Sequence, residues 1–538
     1  MTIGQKITTL RTGMGISQEE LSEMLGVSRQ SVSKWEMDAA LPQIDKILQL
    51  SEYFAVSTDA LLKEEIALCR PKGERSRGYF GTDGFRGEAG VDLTAKHAFR
   101  VGRFLGWYYA RPEGGAPSPS YRPRIVIGKD TRRSSYALEY AIAAGITASG
   151  ADAYMLHVTT TPSVSYVTRQ DGFDAGIMIT ASHNPFYDNG IKVLGPYGEK
   201  LDDQTTALIE AYLDGDLAVL GVEGEDLPLA QRARIGCIHD HVAGRNRYIG
   251  YLISLASHSY KDLRIGLDTA NGAAWSIAPA VFSALGAKLY VIGGEPDGLN
   301  VNEGCGATHP ERLAALVKEK HLDLGFAFDG DADRCIAIDG NGRVVDGDAI
   351  LYILAKRLSS RGMLKDGTVV ATVMSNSGFV KSLEQIGLHV AETAVGDRFV
   401  YERMQKEGYD LGGEQSGHII LKKYATTGDG LLTAIMLAEE VLDSKKSLAA
   451  LAEPVKYYPQ YTKNVRVTSK SATVADAGVQ RALSAARERL AGDGRILLRE
   501  SGTEPVVRIM VESKTDELCR TLAEDIAEAI REGGLALG

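Results

Sequence analysis

The sequence predicts an α/β protein of several domains, preceded by a small all-α unit. Its 538 residues exceed what one hydrophobic core usually holds, so three to five domains are expected. From Tyr79 onward, short apolar runs with the length of strands alternate with segments of helical periodicity. Within the first 66 residues, the segment 3–36 shows helical spacing throughout. The alternation of strand-like and helical segments from Tyr79 onward is typical of layered α/β domains.

The composition excludes some classes of protein. Apolar residues make up 44% and charged residues 24%, an ordinary globular balance. No run of about 18 apolar residues occurs, so no membrane span is expected, and MTIGQKITTLRTG lacks the apolar core of a signal peptide. Five scattered cysteines form no CxxC pair and are expected to be reduced thiols of a cytoplasmic protein. The net charge of −10 gives no global attraction to nucleic acid.

The N-terminal unit predicts two helices around a tight turn. Ser17 and Glu20 have the spacing of a capping box, and Gly26 permits a sharp turn after that helix. This is the helix-turn-helix pattern of DNA-binding proteins, and residues 3–63 resemble the Cro/repressor-type (XRE) helix-turn-helix family. The second helix would enter a DNA groove. The candidate DNA contacts are Gln18, Arg29, Gln30, Ser33 and Lys34.

The charge of this unit argues against DNA binding. Residues 1–66 hold six Lys/Arg and ten Asp/Glu, whereas DNA-binding proteins usually carry a basic footprint. Residues 67–78, ALCRPKGERSRG, are expected to form a flexible linker, and their four basic groups could supply part of that footprint. A protein-interaction or dimerisation role is therefore the alternative to DNA binding.

Three aspartates come directly after the apolar run LGFAF. They are Asp329, Asp331 and Asp333 of DGDADR. In extended backbone every second side chain points the same way, so the three carboxylates would converge. Their repulsion is tolerable around a cation, and an all-oxygen set suits Mg²⁺. The alternatives are a solvated acidic turn and an EF-hand, which is weaker because Gly340 occupies the position of the expected glutamate.

A serine in TASHNP is a candidate nucleophile. Ser182 lies at the end of a predicted strand, where α/β folds place their ligands. Ser182 and Asn184 could simply cap a turn, and no GxSxG elbow surrounds the serine. However, His183 is a second reactive group beside it, and a serine near Mg²⁺ can carry a phosphoryl group. Lys192, in a strand that follows an Asn-Gly turn, could return close to Ser182.

Three further glycine-rich loops carry polar groups. RESGTEPVVR contains the anion donors of a phosphate cradle, GGEQSGH offers groups for paired hydroxyls beside His418, and GTDGFRG contributes Arg86. Taken singly, each could be an ordinary hairpin or glycine loop. The candidate residues of the first loop are Arg499, Ser501, Gly502, Thr503 and Arg508. Those of the second are Glu414 and Ser416.

Five loops occur in the order GTDGFRG, TASHNP, DGDADR, GGEQSGH and RESGTEP. In this combination, about 460 residues from Tyr79 onward resemble the α-D-phosphohexomutase superfamily. YFGTDGFRG, GLNVNEGCGATHPE, LGGEQSGHII, TTGDGLLTA and VVRIMVE are most similar to its phosphoglucosamine mutase branch. Relatives that act on glucose or mannose phosphate tend to have methionine at the position of Gln415. A helix-turn-helix is not part of the usual architecture of that superfamily.

The resemblance implies four domains around a central cleft. Three would be α/β domains with mixed sheets, and the last a TATA-binding-protein-like α+β domain. After the helix-turn-helix unit 1–66 and the linker 67–78, the expected domains are 79–235 with the phosphoserine, 236–339 with the metal loop, 340–453 with the sugar-binding loop and 454–538 with the phosphate-binding loop.

The resemblance also implies residue roles. Ser182 would be phosphorylated, and one Mg²⁺ per chain would be held by Ser182, Asp329, Asp331 and Asp333. The transferring phosphoryl group would be surrounded by Arg86, His183, Lys192 and Arg334, with Lys192 or His418 as general acid/base. Sugar hydroxyls would contact Glu414 and Ser416, with Gly396 and Asp397 of TAVGDR (393–398) as a further sugar-facing loop. The non-reacting phosphate would be held by Arg499, Ser501, Gly502, Thr503 and Arg508.

The implied activity is the interconversion of glucosamine 6-phosphate and glucosamine 1-phosphate, with a sugar 1,6-bisphosphate as intermediate and activator. Two alternatives stay open. One is a mutase that prefers glucose or mannose phosphate, against which Gln415 argues. The other is a transcription regulator with a mutase-like sugar-phosphate sensor, which would not need Ser182 or the aspartates. The expected partners are a hexosamine or hexose phosphate and, through residues 1–66, DNA. No membrane is expected, and the sequence leaves a homodimer open.

Overall fold

The computed structural model describes residues 2–13, 16–54, 58, 61, 78–81, 83–111, 121–500 and 506–536. The chain divides into two compact units, Met1–Gly78 and Tyr79–Gly538. Of the predicted linker 67–78, only Gly78 is among the described residues. In this described part of the chain, no helix is long and apolar enough to cross a bilayer.

The described part of the first unit contains four helices. They are α1 Ile3–Gly13, α2 Gln18–Leu25, α3 Arg29–Glu36 and α4 Ile44–Tyr53. The predicted capping box is present: the Glu20 amide donates to Ser17 Oγ at 3.1 Å, and the Ser17 amide donates to Glu20 Oε2 at 2.6 Å. Gly26 has a φ of +63°, which permits the turn between α2 and α3. A small core of buried apolar side chains holds the helices together, including Ile7, Leu21, Leu25, Val32 and Trp35.

The second unit begins with a seven-stranded mixed sheet, the first sheet, in the order β1-β2-β6-β5-β3-β4-β7. β3 is parallel to both β4 and β5, whereas β6 is antiparallel to β5. Its strands are β1 Phe80–Gly81, β2 Gly84–Glu88, β3 Arg124–Lys129, β4 Asp152–Val158, β5 Ala175–Ile179, β6 Asp188–Leu194 and β7 Ile238–Asp240. Its helices are α5 Ala95–Tyr109, α6 Ser135–Ala148, α7 Thr161–Gln170 and α8 Asp203–Asp214.

The second sheet has five strands in the order β12-β11-β10-β8-β9. Its strands are β8 Arg264–Asp268, β9 Lys288–Ile292, β10 Leu324–Phe328, β11 Cys335–Asp339 and β12 Val344–Val345. The helices of this part are α9 Val242–Ser254, α10 Ile277–Ala284 and α11 Glu311–Lys320. β10 is parallel to β8 and antiparallel to β11, so this sheet is also mixed.

The third sheet has four strands in the order β14-β13-β15-β16 and is mixed as well. Its strands are β13 Thr368–Thr372, β14 His389–Thr393, β15 Leu411–Gly413 and β16 Ile419–Leu421. Its helices are α12 Gly347–Ser360, α13 Ser377–Glu384, α14 Asp397–Glu407, α15 Gly430–Ser444 and α16 Leu448–Ala452. One continuous apolar core joins the second and third sheets, because Phe328, Leu354 and Leu432 belong to the same buried cluster.

The fourth sheet is antiparallel, in the order β17-β19-β18. Its strands are β17 Gln460–Arg466, β18 Gly494–Glu500 and β19 Val506–Ser513, and its helices are α17 Lys470–Ala475, α18 Ala477–Leu490 and α19 Asp516–Glu532. The predicted fold class is confirmed. A helix-turn-helix unit is followed by three α/β parts, each with a mixed sheet and its helices, and by a C-terminal α+β part.

The exact domain boundaries stay a prediction. β7 lies beyond the expected boundary at residue 235, yet it pairs with β4 of the first sheet. β12 lies beyond the expected boundary at residue 339, yet it pairs with β11 of the second sheet. In both places a short strand adds to a sheet edge after the chain has turned toward the next domain, which hydrophobic patterning does not reveal.

Candidate active site

The candidate nucleophile lies at the carboxyl end of a central strand. Ser182 follows β5 by three residues and is fully buried. Its φ of +51° is a left-handed conformation that costs a non-glycine residue free energy. The Ser182 hydroxyl donates to Asp329 Oδ2 at 2.6 Å, and His183 Nδ1 lies 3.4 Å from Ser182 Oγ. The structure therefore brings the predicted serine, its histidine neighbour and the first aspartate together.

Two side chains that sequence reasoning missed hold the serine loop in this conformation. The Arg132 guanidinium donates to the backbone carbonyls of Ser182 at 3.0 Å and Asn184 at 2.8 Å, and to two further carbonyls of the loop. Asp130 Oδ2 accepts the Arg132 Nε–H at 2.7 Å. Asn302, which follows the second sheet's β9, donates to the same two carbonyls at 2.8 and 3.1 Å. One signal was available, because β3 and β5 are parallel neighbours whose following loops meet at one sheet edge.

The three aspartates of DGDADR converge as predicted, but not through extended backbone. The segment is a turn, in which Ala332 has a φ of +56° and its amide donates to the Asp329 carbonyl at 3.1 Å. Their carboxylate oxygens lie within 4.8 Å of one another, and all three residues are buried. Oδ1 of Asp331 and Oδ1 of Asp333 have no hydrogen-bond partner among the described residues. Burial, together with Asp333 and Asp331, raises the pKa of Asp329 well above its usual range. Unpaired buried carboxylate oxygens and mutual repulsion fit an all-oxygen site for a divalent cation.

Lys192 reaches this cluster from β6. Its Nζ lies 2.8 Å from Asp331 Oδ2, 3.1 Å from Asp333 Oδ2 and 3.1 Å from Asp83 Oδ2. Burial alone would lower the pKa of Lys192, but these carboxylates raise it well above its usual range. The predicted approach of Lys192 to Ser182 thus takes the form of contacts with the aspartates near the serine.

Two predicted arginines flank the serine loop. Arg86 pairs with Asp83 and lies 3.4 Å from Asn184 Oδ1. Arg334 Nε lies 4.0 Å from Asp333 Oδ1. Burial, with the positive charges of Arg334 and Arg86, lowers the pKa of His183 to about 4. These cations make the region around Ser182 attractive to a phosphoryl group.

A ring of charges links the first three sheets. Lys200 Nζ lies 2.9 Å from Asp83 Oδ1 and 2.7 Å from Asp397 Oδ2. His418 lies between Asp397, 3.4 Å from its Nε2, and Asp333, 3.7 Å from its Nδ1. Burial alone would lower the pKa of His418, but Asp397 and Asp333 raise it to about 9. The Gly428 amide lies 3.0 Å from His418 Nε2. Sequence reasoning found Asp397 and His418 but not Asp83 or Lys200.

The predicted sugar loop is the hairpin between β15 and β16. Glu414 Oε1 accepts the Gly396 amide at 3.1 Å, so GGEQSGH and TAVGDR are neighbours. Ser416 Oγ is buried without a hydrogen-bond partner among the described residues. An unsatisfied buried hydroxyl is costly unless a ligand completes it. A cavity of about 460 Å³ borders this region and is lined by Lys200, Asp397 and His418 among others, a size typical of small-molecule sites.

Gln415, the residue that the sequence comparison used as a marker of sugar preference, contacts a helix N-terminus. Its amide nitrogen donates to Asp346 Oδ2 at 3.1 Å. Asp346 caps the N-terminus of α12 by accepting the Ala349 amide. Gln415 therefore links the loop that bears Glu414 and Ser416 to the N-terminus of α12.

The predicted phosphate-binding arginines lie side by side on the fourth sheet. Arg499 of β18 pairs directly with Arg508 of β19. Ser501, Gly502 and Thr503 lie outside the described residues. The phosphate-binding candidates thus belong to a different sheet from the sugar loop.

The candidate DNA contacts lie mainly on the outer face of α3. Arg29, Gln30 and Lys34 are exposed, and Ser33 is half-buried. Arg29 lies 3.6 Å from the exposed Glu19 carboxylate. Gln18 is engaged inside the unit, because its amide donates to Glu36 Oε2 at 2.7 Å.

Comparison with known sequences and structures places this architecture in one class. Models of phosphoglucomutase/phosphomannomutase match domain I at residues 77–218, domain II at 246–342, domain III at 346–458 and the C-terminal domain at 463–529. A helix-turn-helix model matches residues 7–61. A phosphoglucomutase/phosphomannomutase family protein of Burkholderia thailandensis has the same fold, with a TM-score of 0.67 and 24% identity over 84% of this chain and 97% of that one.

Curated relatives narrow the class. A phosphoglucosamine mutase of Lachnospira eligens is 56% identical over 459 residues, which cover 85% of this chain and 99% of that protein. The phosphoglucosamine mutase of Bacillus subtilis is 48% identical over 454 residues, 84% of this chain and 98% of its own. The chain therefore belongs to the phosphoglucomutase/phosphomannomutase family, in its phosphoglucosamine mutase branch. The resemblance predicted from the five loops is confirmed.

Proposed function

We propose that the protein is a phosphoglucosamine mutase that interconverts glucosamine 6-phosphate and glucosamine 1-phosphate. The observation that carries this proposal is the buried Ser182 hydroxyl, hydrogen-bonded to Asp329 at the edge of an aspartate triad. A hydroxyl so placed among Lys192, Arg86 and Arg334 is suited to carry a phosphoryl group. The high identity to phosphoglucosamine mutases along almost their whole length supports the choice of sugar.

The phosphoryl group would move in two balanced steps. The bond from phosphorus to Ser182 Oγ breaks while a bond to the free sugar hydroxyl oxygen forms. The proton of that hydroxyl passes to a base, and an acid gives a proton to Ser182 Oγ. The product is a sugar 1,6-bisphosphate, which also serves as activator. After it turns round in the cleft, Ser182 Oγ gives its proton to a base and bonds to the phosphorus of the other phosphate. The bond from that phosphorus to the sugar oxygen breaks and the oxygen takes up a proton, so phosphate has moved between O6 and O1. Lys192 and His418 are the candidates for the acid and base.

A divalent cation fits the aspartate triad. Asp329, Asp331, Asp333 and the phosphorylated Ser182 would hold one Mg²⁺, since unpaired buried carboxylate oxygens face the site. When bound, such an ion neutralises charge on the transferring phosphoryl group. The protein's own part is to fix these oxygens, to add the positive charges of Lys192 and Arg334, and to exclude water around a nucleophile that is fully buried.

Sugar and phosphate recognition would be divided between two sheets. Glu414 and Ser416 of the third sheet offer a carboxylate and a hydroxyl for sugar groups, and the Gly396–Asp397 loop borders them. Arg499 and Arg508 of the fourth sheet, with Ser501, Gly502 and Thr503, would hold the phosphate that is not reacting. Contacts of this kind serve the substrate in both of its orientations.

The direct test is turnover of glucosamine 6-phosphate with Mg²⁺ and a trace of sugar 1,6-bisphosphate. Glucose and mannose phosphates are measured alongside. We expect the highest kcat/KM on glucosamine phosphate and its loss in Ser182→Ala, whereas Ser254→Ala, an exposed serine at the end of α9, should behave as wild type. A preference for glucose or mannose phosphate would refute the assignment of the sugar. No turnover by folded, phosphorylated protein would point to a sugar-phosphate sensor.

A second function is proposed for residues 1–66, namely DNA binding through α3. The exposed Arg29, Gln30 and Lys34 on a helix-turn-helix scaffold support it. Electrophoretic shift with the upstream region of the protein's own coding sequence should show a complex at low salt. Arg29→Ala should weaken that complex, and Lys320→Ala, an exposed lysine of the mutase unit, should not. Absence of binding to any DNA at low salt would favour a protein-interaction role.

Assembly and location follow from these proposals. Helix-turn-helix proteins usually read two half-sites as dimers, so a homodimer is the expected assembly, to be measured by analytical ultracentrifugation. We expect the enzyme in the cytoplasm, where charged sugar phosphates are held. The four described cysteines are free thiols, as a reducing compartment requires.

A further inference from the structure

Three side chains connect the sugar loop with the segment that enters the fourth sheet. Gln415 Nε2 donates to Asp346 Oδ2 at 3.1 Å, and the Tyr457 hydroxyl donates to Asp346 Oδ1. Asp346 stands between them at the N-terminus of α12, where Oδ1 also accepts the Ala349 amide at 3.2 Å. Gln415, Asp346 and Tyr457 are called the relay below.

The sugar loop is seated closely on α12 next to this relay. The Gly347 amide donates to the Gln415 carbonyl at 3.0 Å. A Cβ on Gly347 would lie 1.9 Å from the Glu414 carbonyl oxygen, so the loop and the start of α12 are packed backbone against backbone. The loop that bears Glu414 and Ser416 is therefore held directly against the residue that follows Asp346.

On its other side the relay meets the connection between the third and fourth sheets. Tyr457 lies between α16 and β17, and the next residue, Tyr458, is fixed by Asn376, which exchanges two hydrogen bonds of 2.9 Å with its backbone. From the fourth sheet, Arg495 donates to the Val373 carbonyl at 2.5 Å. Glu512 accepts the amide of Ser377. The fourth sheet is thus anchored next to Tyr457, whose hydroxyl extends the connection to the sugar loop.

This connection matters because one substrate is held by both sheets. In the proposed function, on which this inference rests, the sugar loop of the third sheet and the arginines of the fourth sheet hold different ends of one sugar bisphosphate. That molecule must turn round without escaping. We propose that Gln415, Asp346 and Tyr457 are positioning residues that keep the sugar loop aligned with the fourth sheet, so that the bisphosphate intermediate is retained during its reorientation.

Removal of single relay groups tests the proposal. Tyr457→Phe deletes one hydroxyl from a side chain that is 43% exposed, and Gln415→Met deletes the amide at similar size. Enzyme labelled with phosphate on Ser182 is mixed with glucosamine 6-phosphate, and labelled bisphosphate free in solution is measured. We expect each variant to release at least about threefold more bisphosphate than wild type, with the rate of the first phosphoryl transfer within about twofold.

The double variant and a matched control sharpen this result. Because both groups act through Asp346, the double variant should release about as much bisphosphate as either single variant. Tyr458→Phe is the control, since the Tyr458 ring faces Lys381 and not Asp346. Equal release by wild type, Tyr457→Phe and Gln415→Met would overturn the relay. So would release that rises as strongly in Tyr458→Phe.

Amide hydrogen exchange provides a readout that needs no activity. In Tyr457→Phe, residues 413–418 should exchange at least about threefold faster than in wild type, although they lie some 40 residues away in sequence, and Tyr458→Phe should leave them unchanged. Unchanged exchange in Tyr457→Phe would overturn the relay. If wild type transfers no phosphoryl group to glucosamine 6-phosphate, the proposed function fails, and the exchange experiment alone decides about the relay.

Discussion

At the scale of single residues, one buried carboxyl outside the proposed active site has a strongly raised pKa. Asp348, in the first turn of α12, is fully buried. Its Oδ2 accepts the Asn376 amide at 2.7 Å, and its Oδ1 has no hydrogen-bond partner among the described residues. Burial raises the pKa of Asp348 to about 7. The folded protein therefore holds this proton more tightly than the unfolded chain, whose aspartates titrate near pH 4.

This pKa shift predicts that Asp348 costs stability at high pH. Below about pH 4 the carboxyl is protonated in both the folded and the unfolded protein and does not change the free energy of unfolding. As pH rises, ionisation of Asp348 lowers that free energy. The loss is complete above about pH 7 and is on the order of 4 kcal/mol. Asp348→Asn should raise the thermal midpoint at pH 8 more than at pH 5. Calorimetry at both pH values measures this, with the exposed Asp262→Asn as control. Parallel pH profiles of wild type and Asp348→Asn would contradict the prediction.

A second prediction at this scale concerns the clamp on the serine loop. Asn302→Ala removes the hydrogen bonds to the carbonyls of Ser182 and Asn184, which leaves two buried acceptors with one donor fewer. We expect a destabilisation of about 1–3 kcal/mol and a fall in kcat of about tenfold, because Ser182 loses its fixed position. Urea unfolding and steady-state kinetics measure both. The control is Asn300→Ala in the same segment, because Asn300 is half-buried and its amide donates to the Glu295 carbonyl at 3.0 Å instead of to the serine loop. An equal loss of kcat in Asn300→Ala would argue against the clamp.

At the scale of elements, α13 packs against the segment that connects the third and fourth sheets. Its second residue, Gly378, has no room for a side chain, since a Cβ there would lie 1.7 Å from the Lys456 carbonyl oxygen. Backbone contacts this close form only where glycine stands. The helix N-terminus and the connecting segment are therefore packed as one piece.

Gly378→Ala should force this segment away from α13. We expect a lower thermal midpoint and faster proteolytic cleavage within residues 453–459. The matched control is Gly250→Ala in α9, where nothing lies within 4 Å of the added methyl group; it should stabilise the protein by up to about 1 kcal/mol, because alanine is the better helix former. Similar effects of the two substitutions would show that the contact to Lys456 is unimportant.

At the scale of the whole molecule, the chain consists of two compact units. The curated relatives match about 85% of this chain and almost all of their own length, which corresponds to the second unit alone. We therefore expect the second unit to hold all the residues that the mutase reaction needs. Every described contact of Ser182, the aspartates and the sugar loop lies within Tyr79–Gly538.

Deletion of residues 1–78 should leave kcat/KM within about twofold of wild type and abolish any DNA complex. Ser182→Ala in the full chain should do the reverse, binding DNA without turnover. Steady-state kinetics and electrophoretic shift of both proteins measure this. A tenfold loss of turnover in the deletion would show that the first unit takes part in catalysis.

The sequence by itself determined the local features of this protein. The fold class follows from hydrophobic periodicity, and the capping box of Ser17 and Glu20 follows from residue spacing. The convergence of the aspartates was predicted from extended backbone, but the structure achieves it through a turn in which Ala332 has a φ of +56°. Each of these features depends on residues that are close in sequence, and such patterns report mainly on short-range geometry.

Only the tertiary structure decided which distant groups complete the site. Arg132 and Asn302 meet the serine loop from 50 and 120 residues away, and Tyr457 meets Asp346 across 111 residues. Lys200 likewise lies between Asp83 and Asp397 only because two sheets approach each other. Such contacts depend on how sheets pack, and no spacing in the chain encodes them: a hydrogen bond needs its two atoms within about 3 Å in space, whatever their distance in sequence.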